Sequence, residues 1–283
     1  MTLGAALGVA GYPRLSAARP DFAAELTRLE AASGGRLGVS VDDTATGQRY
    51  GHRASERFPM CSTAKVLGCG AVLARVDAGH DDLNRRIRFN AKDLVTYSPV
   101  TKNRLGAPGM TLAELCQAAL TVSDNTAANL IVASLGGPSA VTAFARSLGD
   151  KMTRLDRIET ALNEAQPGDV RDTTTPAAMA ANLQALVTGG ILSPRSRDQL
   201  AAWLVANQTG GAKLRAGLPA DWRVGDKTGS GGFGTSNDIA VIYPPDRKPL
   251  IVCVYLTDTK AGPDNSDKTI AAVARTVRDL VPA

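Results

Sequence analysis

The chain has 283 residues, 44% hydrophobic and 21% charged, a balance that supports a sizeable core and excludes a disordered chain. Its net charge of +5 is spread along the sequence without a basic run, so it reads as a solvated excess rather than a nucleic-acid footprint. No segment approaches the apolar length that spans a bilayer.

Residues 3–10 are apolar and are followed by Ser16-Ala17-Ala18, which looks like the end of a secretory signal with no basic residue ahead of it. Residues 1–18 read as a truncated or unusual export signal, or as a flexible extension. Over 21–33, Phe22, Leu26 and Leu29 share one face of a predicted helix. Residues 37–41 and 48–52 read as short strands joined by a polar turn. From 60 to 210 the chain becomes rich in Ala and Leu, with helical periods at 63–78, 111–121, 124–135, 138–148, 176–188 and 196–206. Three more strands follow at 222–227, 238–243 and 250–256. The last is apolar on both faces and so expects cover on both sides. Ser266 is the expected N-cap of a closing helix that turns Ile270, Val273, Val277 and Leu280 inward. The pattern predicts an α/β fold of the α+β, sandwich-like kind: an antiparallel five-stranded sheet from both chain ends, flanked by terminal helices, with an all-α domain inserted. We place the sheet domain at 19–55 and 214–283 and the helical domain at 56–213.

None of the four cysteines, Cys61, Cys69, Cys116 and Cys253, forms a C-x-x-C pair, which argues against zinc or thioredoxin-like chemistry. Cys69 lies two helical turns after Ser62, and Cys116 two turns before Ser123. If the two helices run antiparallel with the serines meeting, the cysteines meet lower down. A Cys69–Cys116 disulfide would then contribute about 4 kcal/mol and imply an oxidising compartment; two buried free thiols are the alternative.

Ser62-Thr63-Ala64-Lys65 places a hydroxyl and an amine one helical turn apart, the minimum for a serine nucleophile activated without histidine. Alone, Ser-x-x-Lys is expected by chance roughly once in such a chain. Its weight comes from Ser123-Asp124-Asn125, Glu159-x-x-Leu162-Asn163 and Lys227-Thr228-Gly229, each with a chance expectation on the order of 0.1 or less. Singly, each has a plainer reading: a helix-capping turn for 123–125, a solvated charge for Glu159, a hairpin strand end for 227–229.

Together these motifs resemble the class A serine β-lactamases, from about residue 20 to the end. The resemblance implies the β-lactamase/penicillin-binding transpeptidase-like fold and hydrolysis of penicillins, with cephalosporins expected too. It makes Ser62 the nucleophile and the backbone N–H groups of Ser62 and Ser230 the oxyanion hole. Lys65 or Glu159 is the acylation base. Ser123 relays a proton to the leaving nitrogen, and Glu159 and Asn163 hold the hydrolytic water. Asn125 binds the substrate's side-chain amide, while Lys227, Thr228 and Ser230 bind its carboxylate, Gly229 between them lets backbone approach backbone in the substrate-binding strand end, and Tyr97 walls the entrance. Arg157 and Asp172 pin the neck of an omega loop at 154–172. The chain departs from the family at Thr160, where many relatives carry proline, and at Ser236, where many carry a carboxylate-binding arginine. Lys213 is the expected substitute cation. Some carbapenem-hydrolysing relatives bridge the position of Cys61 to a cysteine after Lys-Thr-Gly; Gly231 stands there, excluding that bridge.

A penicillin-binding transpeptidase or carboxypeptidase, or a β-lactam sensor, shares the other motifs but not the Glu159 loop. With only His52 and His80 in the chain, a Ser-His-Asp or metallo-hydrolase is disfavoured. The resemblance implies no cofactor, no metal, no nucleic-acid or membrane partner, small β-lactams as ligands, and a periplasmic or secreted monomer.

Overall fold

The computed structural model describes residues 20–281; the expected export signal or extension at 1–18 lies outside them. Helix α1 (Pro20–Ser33) leads into strands β1 (Arg36–Asp43) and β2 (Arg49–His52). The two-residue strand β3 (Phe58–Pro59) precedes a 3-10 turn, Cys61–Thr63, and helix α2 (Ala64–Asp77). Short strands β4 (Arg86–Ile87) and β5 (Met110–Thr111) pair with each other, and then come α3 (Leu112–Thr121), α4 (Asn125–Leu135) and α5 (Pro138–Ser147). Strand β6 (Thr173–Thr174) pairs back to β3, followed by α6 (Pro176–Val187) and α7 (Pro194–Val205). The chain ends with β7 (Arg223–Ser230), β8 (Ser236–Tyr243), β9 (Leu250–Thr257) and α8 (Pro263–Arg278).

The sheet is antiparallel throughout, in the order β2-β1-β9-β8-β7, so strands from both ends of the chain meet at the β1–β9 pair. Strand β9 is buried along its whole length, as its apolar run requires. Its side chains alternate between two cores. Ile251, Cys253 and Tyr255 join the helical core around α2, whereas Leu250, Val252, Val254 and Leu256 join Phe22, Leu26, Ile270 and Val273 under α1 and α8.

Helix termini follow capping chemistry. Thr111 and Glu114 form a reciprocal capping box on α3. Asp124 caps α4 by accepting from the Ala127 N–H, and Gly136 ends that helix at φ +105°, a conformation that suits glycine. The expected cap at Ser266 is corrected: α8 is capped by Gly262 with Pro263 at its first position, and Ser266 lies buried inside the first turn. Proline's fixed φ and missing N–H suit it to a helix start, which places the cap four residues earlier, at Gly262. Leu280 lies beyond the helix end and is only partly buried against its core.

Candidate active site

A cleft of about 550 Å³ lies between the β7 edge of the sheet and the helical region, lined among others by Ser62, Ser123, Asn163, Thr228, Ser230 and Lys213. Ser62 sits on the 3-10 turn at the start of α2, where the helix N-terminus favours negative charge. The turn is held from two sides. Asn237 Nδ2 on β8 donates to the carbonyls of Pro59 and Met60, and the Met60 N–H donates to the Asp172 carbonyl at the omega-loop closure. These contacts support Cys61 at φ +47°, a left-handed conformation that costs a non-glycine residue about 1–2 kcal/mol. Tyr97 and Ser123, also on the cleft wall, share that conformation at φ +63° and +58°.

The Ser62 hydroxyl donates to Glu159 Oε1 at 3.2 Å, and the Lys65 ammonium lies 3.0 Å from the same oxygen. Lys65 also donates to Asn125 Oδ1 at 2.7 Å and to the Ser123 carbonyl and hydroxyl at 2.9 and 3.1 Å. Every partner of Lys65 is an acceptor, which suits a protonated ammonium. Burial nevertheless drives its pKa down from the ordinary lysine value, opposed chiefly by the Glu159 charge. Ser123 Oγ receives a second ammonium, Lys227 Nζ, at 3.1 Å. Burial, then the charge of Lys65, pushes Lys227 down to about 7.

Glu159 is held as a backbone as well as a side chain. Asn129 on α4 accepts from the Glu159 N–H and donates to its carbonyl, both at 2.8 Å. Asn163 donates to Glu159 Oε2, while Asn163 Oδ1 is buried with no hydrogen-bond partner among the described residues. The Glu159–Thr160 peptide is cis. Around the loop's neck, Arg157 Nε donates to Asp172 Oδ2 at 2.5 Å, and Asp172 Oδ1 accepts the N–H groups of Asp156 and Arg157. Arg57 joins the two ends, donating to the Met152 carbonyl and the Thr173 hydroxyl.

On the strand side, Lys227 is fully buried and Ser230 stands exposed at the strand end, opposite Ser236. Gly229 runs so close to the nucleophile's turn that a Cβ there would lie 2.9 Å from the Met60 carbonyl oxygen. A Cβ on Gly231 would lie 2.7 Å from Cys61 Sγ. Lys213 Nζ hydrogen-bonds both Ser236 and Asp267, so the lysine does reach the position of the absent arginine. Asn125 is engaged at both ends, by Lys65 and by the Thr96 carbonyl, and Tyr97 stands 57% exposed at the rim. Asp124 turns away from the cleft, accepting from Val100, Thr101 and Ala127.

The expected Cys69–Cys116 disulfide is corrected. All four cysteines are buried free thiols, and Cys69 Sγ approaches the Cys116 carbonyl at 4.0 Å. The Cys69 contact and burial push the Cys116 thiol up, so the pair is a packed thiol contact. Sequence reasoning missed Asn129, Asn237, Asp267 and Thr209, whose hydroxyl meets that of Thr228 at 2.6 Å. Isolated polar residues carry no spacing signal; only the buried partners identify them. His52 is paired with Glu30 on the far side of β1 from this cleft.

The family described as the beta-lactamase enzyme family matches residues 21–281. Beta-lactamase AST-1 of Nocardia asteroides is 52% identical over 264 residues, covering 93% of this chain and 84% of that protein. Beta-lactamase OXY-2 of Klebsiella oxytoca is 51% identical over 255 residues, covering 90% and 88%. Among solved structures, an ancestral (GNCA) class A β-lactamase superposes with a TM-score of 0.91 at 62% identity, covering 92% of this chain and 100% of that one.

Proposed function

Because the chain belongs to the class A β-lactamases, hydrolases of the β-lactam amide that confer resistance, we propose that it opens penicillins and cephalosporins through an acyl-enzyme on Ser62. The observation that carries this reading is the triad of contacts at one carboxylate: Ser62 donates to Glu159, Lys65 flanks it, and Asn163 holds its other oxygen.

In the first step Glu159 takes the Ser62 proton, and Oγ bonds to the carbonyl carbon. The developing oxyanion lies at the backbone N–H groups of Ser62 and Ser230. Ring opening breaks the C–N bond, and the nitrogen takes the proton of Ser123. The Ser123 hydroxyl is resupplied by Lys65, one of the two ammonium groups that donate to it, and Lys65 takes up the proton that Glu159 accepted, so Glu159 enters the second step as a carboxylate. The substrate carboxylate lies against Thr228, Ser230 and Lys213, which line the cleft, with the charge of buried Lys227 behind them. In the second step a water between Glu159 and Asn163 loses its proton to Glu159 and attacks the ester, and Ser62 leaves with that proton returned by Glu159. The buried Asn163 Oδ1 is an acceptor suited to that water.

Glu159→Ala tests both steps. Without the carboxylate Lys65 loses the chief opposition to its burial, with Asp124 the main charge left against it, so its pKa falls further and it can serve as a substitute base for acylation. Among the described residues, Glu159 is the one side chain that hydrogen-bonds the Asn163 amide, so the variant lacks a carboxylate there to activate water. Mass spectrometry after penicillin addition should show a persistent adduct on Ser62 in the variant and none in the parent; full turnover by Glu159→Ala would remove the assigned role.

A further inference from the structure

We infer that Asp267 is a specificity-determining residue, a fixed negative charge that shares Lys213 with the substrate carboxylate and favours β-lactams carrying a cation beside that carboxylate. The inference rests on the hydrolase reading above and adds the substrate class.

Lys213 is nearly buried, its side chain 7% exposed, and it has two partners: the Ser236 hydroxyl and Asp267 Oδ1. Asp267 is more open, at 28%, and lines the same cleft from the first turns of α8. The sheet register sets Ser236 directly across from Ser230. The lysine is therefore next to the carboxylate-binding strand end, with the aspartate beyond it. A cation already paired attracts a substrate carboxylate less than a bare one, and the pairing carboxylate repels it. In cephems the ring carboxylate and the C3 substituent sit on neighbouring carbons. A carboxylate anchored at Ser230 and Lys213 thus brings that substituent within reach of Asp267, where a positive charge gains what a neutral group cannot.

The test uses two cephems that share an acyl side chain, one with a neutral and one with a pyridinium C3 substituent. Intrinsic reactivity differs between them, so the quantity read is the ratio of their kcat/KM values, compared between parent and Asp267→Asn, where reactivity cancels. The ratio of cationic to neutral substrate should fall by about tenfold in Asp267→Asn and stay at the parent value in Asp267→Glu, which keeps the charge. KM for a penicillin should drop several-fold in Asp267→Asn, and this drop should vanish in a Lys213→Ala background. A ratio unchanged within about twofold while hydrolysis proceeds would overturn the inference alone. If the parent opens neither cephem nor penicillin, the hydrolase reading itself has failed.

Discussion

Ser123 receives hydrogen bonds from two ammonium groups, and the more deeply buried of them, Lys227, titrates near neutrality. Burial and the charge of Lys65 bring it down to about 7, so its attraction for a substrate carboxylate is complete below that pH and lost above it. Bound substrate adds a negative charge beside the ammonium and raises its pKa again. The alkaline fall should therefore show in kcat/KM, which reports the free enzyme, starting near pH 7, and in kcat only at higher pH. Lys227→Arg removes the titrating group while keeping a cation, since a guanidinium stays charged throughout. Its kcat/KM profile should lose the limb near pH 7, whatever its absolute rate. A limb that survives in the arginine variant belongs to another group, with Lys65 the next candidate.

The omega loop shows how an element places one carboxylate. Its neck is closed by Arg157–Asp172 and tied across by Arg57, but Glu159 itself is fixed by Asn129, whose amide satisfies both backbone groups of that residue. Asn129→Ala leaves a part-buried N–H and carbonyl without partners, at a cost of about 1–3 kcal/mol each, so the loop shifts to reach water. Deacylation has no substitute for Glu159 and should slow by about 10²-fold, while acylation, with Lys65 as a fallback base, slows less. Stopped-flow separation of the two phases checks this, and equal slowing of both would count against it. The loop also marks the boundary of what is legible from residues alone. Glu159, Asn163, Arg157 and Asp172 stood in recognisable spacing because chemistry fixes their types. Asn129 lies in a helix whose sequence shows only its apolar period, and its partner is thirty residues away. Helices and strands were readable from periodicity to within a few residues, since burial imposes the period. The α8 cap was misplaced because Ser266 offered a good capping side chain while Pro263 held the true start. The thiols of Cys69 and Cys116 were rightly brought together by helical spacing, but spacing says nothing about the bond between them.

At the scale of the whole molecule, β9 joins two cores and must find β1 more than two hundred residues away, before β8 and β7 complete the sheet beside it. The β7–β8 edge that carries the site is tied down below by a cluster of buried charge. Asp226 accepts from Arg215 Nε and Asn207 Nδ2, while Asp238, also fully buried, accepts the Leu214 N–H and faces the Asp226 carboxyl, with which its side chain interacts. Burial, then the charge of Asp226, holds the Asp238 carboxyl well above the ordinary range. In the unfolded chain the same group ionises near pH 4. Above that pH the native state binds one proton more than the unfolded state, so stability falls with rising pH, by about 1.4 kcal/mol per unit, until the raised pKa is reached. Asp238→Asn keeps an N–H donor for Asp226 and a carbonyl for Leu214, and it carries no proton to lose. Relative to the parent, the variant should gain stability as pH climbs above about 4 toward the raised pKa, read as a widening difference in Tm between the two proteins. A difference that is constant, or that narrows with pH, would mean Asp238 is ionised in the fold and that Lys213 and Lys227 carry its charge.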